Sequence, residues 1–182
     1  MPSPKYMTNT VIHHNDEDEG DNDMRLNTRW RYRFLQKSDL PLKAQRVIDL
    51  LGMDISTLEI LHLESDPNGK YIKNFREPGI NGYCEWLNRV IYLINNKRVG
   101  VTIHELMHVY IHDNKLNTRE IGESFIEQHG ESALSNYAMF SVWENKWDEV
   151  VCEIVAVYGR RGQFVKIVEL LNLYTHAETS TA

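Results

Sequence analysis

The chain has 182 residues, 42% of them apolar and 10% aromatic, ordinary values for one domain with a real hydrophobic core. No apolar run approaches the roughly 18–20 residues of a membrane span, and the N-terminal Met1-Pro2-Ser3-Pro4-Lys5 lacks the hydrophobic stretch of a secretory signal. The net charge of −6 is misleading, because residues 1–23 set Lys5 against six acids and leave 19 basic and 20 acidic residues elsewhere, with no stripe for direct nucleic-acid binding.

Residues 1–24 are acidic and poor in core formers, so they read as a disordered tail ahead of a single domain at 25–176 and a flexible C-terminus at 177–182. The alternation Trp30-Arg31-Tyr32-Arg33-Phe34 fits a short strand or extended arm. Ser38-Asp39-Leu40-Pro41 opens a helix with a capping residue ahead of the proline, running through Ala44, Val47, Ile48, Leu50 and Leu51 to stop at Gly52. Leu58–Glu64 reads as a strand, Asp66–Gly69 as a turn and Tyr71–Phe75 as a second strand. Tyr83–Leu87 and Val90–Ile94 pair as a hairpin about Asn88-Arg89. Val90–Ile94, just before the next helix, is expected to be an edge strand that could bind an extended substrate by β-pairing.

The helix that follows carries the chemistry. Val99, Ile103, Leu106 and Tyr110, with Met107 beside them, form one apolar stripe. On this helix lies His104-Glu105-Leu106-Met107-His108, the His-Glu-x-x-His pattern of zinc peptidases. Residues i and i+4 project side by side from a helix, so His104 and His108 can grip one Zn²⁺. Glu105 is rotated by about 100°, placed to act as general base without being a ligand. A shuffled chain of this composition would carry the pattern with a probability of roughly 0.03, so accident is a poor explanation. Gly100, costly in a helix by roughly 1 kcal/mol, suggests close packing there.

Beyond it, Thr118–Gln128 looks helical and ends at Gly130, while Ser135–Ser141 is ambiguous. Glu144–Tyr158 is a strong amphipathic helix with Trp147, Val150, Val151, Ile154 and Tyr158 on its core stripe. Gly159 and Gly162 bracket a break before a last helix through Phe164, Ile167, Val168, Leu171 and Tyr174. The fold class is α+β: a small antiparallel or mixed sheet packed on the His-Glu-x-x-His helix and on C-terminal helices. The cysteines Cys84 and Cys152 make no disulfide scaffold, and a cytoplasmic, reducing setting is the simplest expectation.

A catalytic zinc takes three protein ligands and keeps one open position. His112, His129, Glu149 and Glu153 are the candidates for the third. On an unbroken helix His112 lies about 12 Å along the axis from His104, so it suits a pocket or a packing role better. Cys152, flanking the Glu149/Glu153 face, is a further possible ligand, although such a cysteine is more often packed.

Val90-Ile-Tyr-Leu-Ile-Asn95 and His104–His112 resemble the strand and helix of ImmA/IrrE-type metallopeptidases. In that family the third ligand is a Glu in a pattern Glu-x-x-Ala-Asn/Asp-x-Phe-Ala. Glu149-Val-Val-Cys152-Glu153-Ile-Val-Ala156 matches at its first Glu and last Ala and departs at Cys152, Glu153 and Val155. The run Phe125–Glu153 is similar to the anthrax lethal factor catalytic core, with Ser135-Asn136-Tyr137-Ala138 and Glu149/Glu153 as the parallels.

Both resemblances imply a minimal zincin-like domain of gluzincin type that hydrolyses peptide bonds of a protein substrate. They imply Zn²⁺ on His104, His108 and Glu149, Glu105 as base, Tyr137 as an oxyanion donor, and Glu153 as hydrogen-bond acceptor for a ligating imidazole. His129-Gly130 also resembles the third-ligand segment of SprT-type proteases. Rivals from another class are a catalytically silent, zinc-stabilised interaction module, and a protein whose acidic tail docks a basic partner.

Overall fold

The computed structural model of the chain describes residues 32–63, 81–94 and 98–175. The acidic tail, Trp30, the turn at Asp66–Gly69, the strand expected at Tyr71–Phe75 and residues 177–182 lie outside them. The described elements are β1 (Tyr32–Phe34), α1 (Leu42–Leu51), β2 (Glu59–Leu63), β3 (Gly82–Glu85), β4 (Val90–Ile94), α2 (Val99–Asp113), α3 (Thr118–His129), α4 (Asn136–Trp143), α5 (Trp147–Arg161) and α6 (Phe164–Thr175). The class is α+β, and no described helix is long and apolar enough to cross a membrane.

The sheet runs β1-β2-β4-β3. The two outer pairings are antiparallel and the central β2–β4 pairing is parallel, so the sheet is mixed. β4 is therefore an inner strand, not the edge its position before the helix suggested. Its five consecutive apolar residues carry that signal, because a strand with neighbours on both sides reads as a continuous apolar run. Ile91 and Leu93 are its core-facing residues. Among the described residues the border strand next to the helices is β3.

The β3–β4 hairpin forms as expected, but Trp86 and Leu87 leave the strand for a 3-10 turn at Trp86–Asn88. Arg89 follows with φ 55°. Such a left-handed backbone costs about 1–2 kcal/mol outside glycine. The Arg89 guanidinium offsets this by donating to Asp113 Oδ1 at 2.8 Å and to Thr57 Oγ1 at 2.9 Å.

The helices start and stop for local reasons. α1 ends at Gly52 with φ 60°, but Pro41 stands at its N-cap position and no side chain caps it. Asp39 instead accepts from the Gln36 N–H at 2.9 Å, closing the short 3-10 turn before the proline. α4 resolves the ambiguous Ser135–Ser141 stretch as a helix, with Ser135 Oγ accepting from Ala138 N–H at 3.2 Å. α5 begins at Trp147 rather than Glu144, because Asn145 turns the chain at φ 57° and its Oδ1 takes the Trp147 indole N–H at 2.7 Å.

α2 and α5 form the centre of the core. Ile103, Leu106 and Met107 on the first and Val150, Val151, Cys152 and Val155 on the second are fully buried. Gly159 does not break α5; it lies inside the helix. A Cβ there would stand 2.5 Å from Ile103 Cδ1 and 3.4 Å from Val47 Cγ2, so glycine lets α5 cross α2 and α1 closely. At Gly100 a Cβ would meet only Arg160 Cδ at 3.8 Å, so the tight packing expected there is found at Gly159 instead. Gly162, with φ 75°, ends α5.

Candidate metal centre

One helical turn puts His104 and His108 side by side on α2, with ring centroids 5.1 Å apart. The first turn of α5 brings Glu149 to both of them. Its Oε2 lies 3.0 Å from His104 Nε2 and its Oε1 3.5 Å from His108 Nε2. One turn later, Glu153 Oε2 faces the other nitrogen of His104, Nδ1, at 3.7 Å. The α2–α5 crossing thus sandwiches His104 between two carboxylates. Glu149 also sits where the positive end of the α5 dipole favours an anion.

Cys152 approaches the imidazoles from the buried side. One potential ligand atom from each of His104, His108 and Cys152 lies within 4.8 Å of the others, close enough to hold a metal ion together. Two nitrogens, a carboxylate and a thiol are donor types that suit zinc. Cys152 is wholly buried, and burial, then the neighbouring Glu149 and Glu105, push its thiol well above the usual range. Glu149 keeps part of its carboxylate open to solvent.

The charges are strongly coupled. Burial opposes ionisation of Glu149, but the His104 hydrogen bond, the two imidazoles and the Tyr137 hydroxyl hold its pKa down at about 2. Burial likewise opposes charge on His104, yet Glu149, hydrogen-bonded to Nε2, and Glu153, 3.7 Å from Nδ1, outweigh it and push the imidazole up to about 10. His108 is lowered by burial and by its neighbour His104.

Glu105 is 7% exposed. Burial pushes its carboxyl up to about 7, with His104 pulling it down and Glu149 pushing it up. It lies against β3 at Gly82, where a Cβ would stand 2.7 Å from Glu105 Oε1 and 2.7 Å from Val101 Cγ1. Glycine at that strand position is what admits the carboxylate.

Tyr137 is not a core tyrosine. It is half exposed, and its hydroxyl donates to Glu149 Oε2 at 2.9 Å. Its ring stands edge-on to His104 with centroids 6.0 Å apart. Ser135 donates to Glu153 Oε1 at 3.1 Å while capping α4. Sequence alone assigns no role to Ser135 or Gly82. The helix-start pattern Ser135-Asn136-Tyr137-Ala138 could have marked the first; nothing local marks the second.

His112 and His129 lie elsewhere. His112 is exposed and stacks on Trp86, with centroids 3.1 Å apart, at the β3–β4 turn. His129 is exposed at the end of α3 against Phe125, with centroids 4.8 Å apart. Cys84 on β3 is the second free cysteine; burial, then Glu105, push its thiol up to about 12. Comparison of the chain with known protein families, with curated proteins and with solved structures finds no match.

Proposed function

We propose that the chain is a zinc-dependent endopeptidase of the gluzincin type, acting on a protein substrate in a reducing, cytoplasmic setting. The observation that carries this reading is the convergence of Glu149 on both ring nitrogens of the His104/His108 pair, at 3.0 and 3.5 Å, with Glu105 beside them. His104, His108 and Glu149 would hold the zinc, which when bound supplies Lewis acidity for peptide hydrolysis.

The chain's own groups divide the remaining work. Glu105, buried beside His104 and against Gly82, accepts the proton of the attacking water and returns it to the leaving amine. Glu153 fixes the orientation of His104 through Nδ1, and Ser135 fixes Glu153 in turn. Tyr137, half exposed and donating its hydroxyl to Glu149 Oε2 in this structure, would serve a developing oxyanion by turning that hydroxyl away from Glu149. Among the described strands β3, rather than β4, offers the edge along which an extended substrate could pair.

A general protease screen of the purified chain, with and without chelator, tests the reading. Hydrolysis that chelator abolishes and added zinc restores is the expected result. Stoichiometric zinc with no hydrolysis of any substrate would favour the silent, zinc-stabilised interaction module.

Gly82→Ala gives a second check. The added methyl must displace the Glu105 carboxylate or Val101, both 2.7 Å from its position. A base misplaced by about 1 Å costs on the order of 10²-fold in rate. The expected outcome is a kcat lowered by that order with the metal content retained; unchanged kcat would mean that Glu105 needs no such fit.

A further inference from the structure

We infer that the buried face of the metal centre is a second ion site, in which Cys152 takes the place of Glu149 as third ligand and holds a soft, thiol-seeking metal ion. Cys152 stands three residues after Glu149, on the same side of α5. Its Sγ forms, with one nitrogen of His104 and one of His108, a group whose members all lie within 4.8 Å of one another, and no carboxylate belongs to that group. Three donors around one ion at about 2.0–2.3 Å stand roughly 3.5–4.0 Å apart, inside that limit. The thiol is free and wholly buried, which closes it to bulky thiol reagents. The groups in front of it are open: the side chains of His104 and His108 are 12% and 14% exposed, and that of Glu149 is 26% exposed. A bare ion therefore reaches the sulfur by way of the imidazoles.

The histidine pair is thus offered two third ligands of opposite character. Glu149 gives a hard carboxylate oxygen on the solvent side, and Cys152 gives a soft sulfur away from water. Zinc accepts either, and with Glu149 it keeps an open position. A softer ion gains more from sulfur than from oxygen, so it is drawn to the buried face. The exchange balances. The bond from the ion to the Glu149 oxygen breaks, the bond to the Cys152 sulfur forms, and the thiol proton passes to solvent. Glu149 keeps the Tyr137 hydroxyl, 2.9 Å away, and one anionic ligand has replaced another.

What changes is access. An ion held at Cys152 has left the position where a water and a substrate carbonyl would meet it, so the soft-ion state is an inhibited state. That consequence rests on the peptidase reading; the binding of the ion does not.

Cadmium is the probe. Chelator competition and ultraviolet difference spectra are recorded on the full chain, stripped of metal and kept reduced, and on Cys152→Ala, Cys152→Ser, Glu149→Ala and Cys84→Ala. Cadmium should give a sulfur-to-metal charge-transfer band in the unmodified chain and in Cys84→Ala, and none in either Cys152 variant. Cadmium affinity should fall by about tenfold or more in both Cys152 variants, with zinc affinity nearly unchanged. Glu149→Ala carries the test without touching Cys152: it should lose zinc and keep the cadmium band. No band in the unmodified chain, a band that survives in the Cys152 variants, or equal loss of zinc and cadmium in a Cys152 variant of unchanged melting temperature would overturn the inference. A cadmium band at Cys152 in a chain that hydrolyses nothing would leave the ion site standing and remove the peptidase reading. Chelator-sensitive hydrolysis with no such band would do the reverse.

Discussion

Glu105→Gln is expected to lower hydrolysis by about 10²–10⁴-fold, the usual contribution of a positioned general base, while zinc stays near one equivalent per chain. The amide keeps the shape of the carboxyl, which is 7% exposed and fits against Gly82. The ligand candidates are untouched, since Glu149 meets His104 and His108 without involving Glu105. Stability separates this from simple damage. In the metal-free chain burial of Glu105 disfavours its charge and pushes its pKa up to about 7, so a neutral side chain removes a desolvation cost there. With chelator present, the melting temperature should hold or rise. Retained turnover would take Glu105 out of the mechanism. Loss of zinc together with activity would make it a support for the metal site rather than a base.

The parts readable in the sequence are those governed by helix periodicity. The spacing of His104 and His108 follows from one turn of α2, and the apolar stripe through Ile103 and Leu106 lies in the core. The stripe of α5 likewise buries Val150, Val151 and Ile154, which turns Glu149 and Glu153 toward α2. Helix ends marked by Gly52 and Gly130 are equally plain, whereas α5 runs through Gly159, where a break is expected, and ends only at Gly162. What sequence could not supply was contact between distant segments. Nothing local distinguishes Gly159, which lets two helices cross, from Gly100, which meets little. Strand order is of the same kind: β2 reaches β4 in parallel across β3 in the chain, so the strand nearest the metal helix in sequence is not the border of the sheet. The role of Gly82 depends on where Glu105 arrives, information that resides in the packing of β3 on α2.

The identity of the third ligand has the second large expected effect. Glu149, Cys152 and Glu153 all reach the His pair, and their positions differ in chemistry. Glu149 approaches both Nε2 atoms, at 3.0 and 3.5 Å, and keeps part of its side chain open to solvent. Glu153 meets only Nδ1 of His104, the nitrogen opposite the one Glu149 approaches, which suits hydrogen bonding to a ligating imidazole. Cys152 lies within reach but on the buried side, where a thiolate has only carboxylates for electrostatic company until a cation arrives. If Cys152 bound along with Glu149, four protein ligands would close the site and leave no position for chemistry. We therefore expect Glu149→Ala to cause the greatest loss of zinc affinity. Glu153→Ala should weaken it by about 10–100-fold, the range for a partner of a ligating histidine. Cys152→Ala and His129→Ala should leave it nearly unchanged. The readouts are zinc stoichiometry and competition with a chelator of known affinity, with cobalt substitution as a direct probe of sulfur, since only a thiolate ligand gives sulfur-to-cobalt charge transfer. A charge-transfer band lost in Cys152→Ala, with zinc retained in Glu149→Ala, would replace the gluzincin set by two histidines and a cysteine. A loss confined to His129→Ala would move the site toward the end of α3 and away from the α2–α5 crossing altogether.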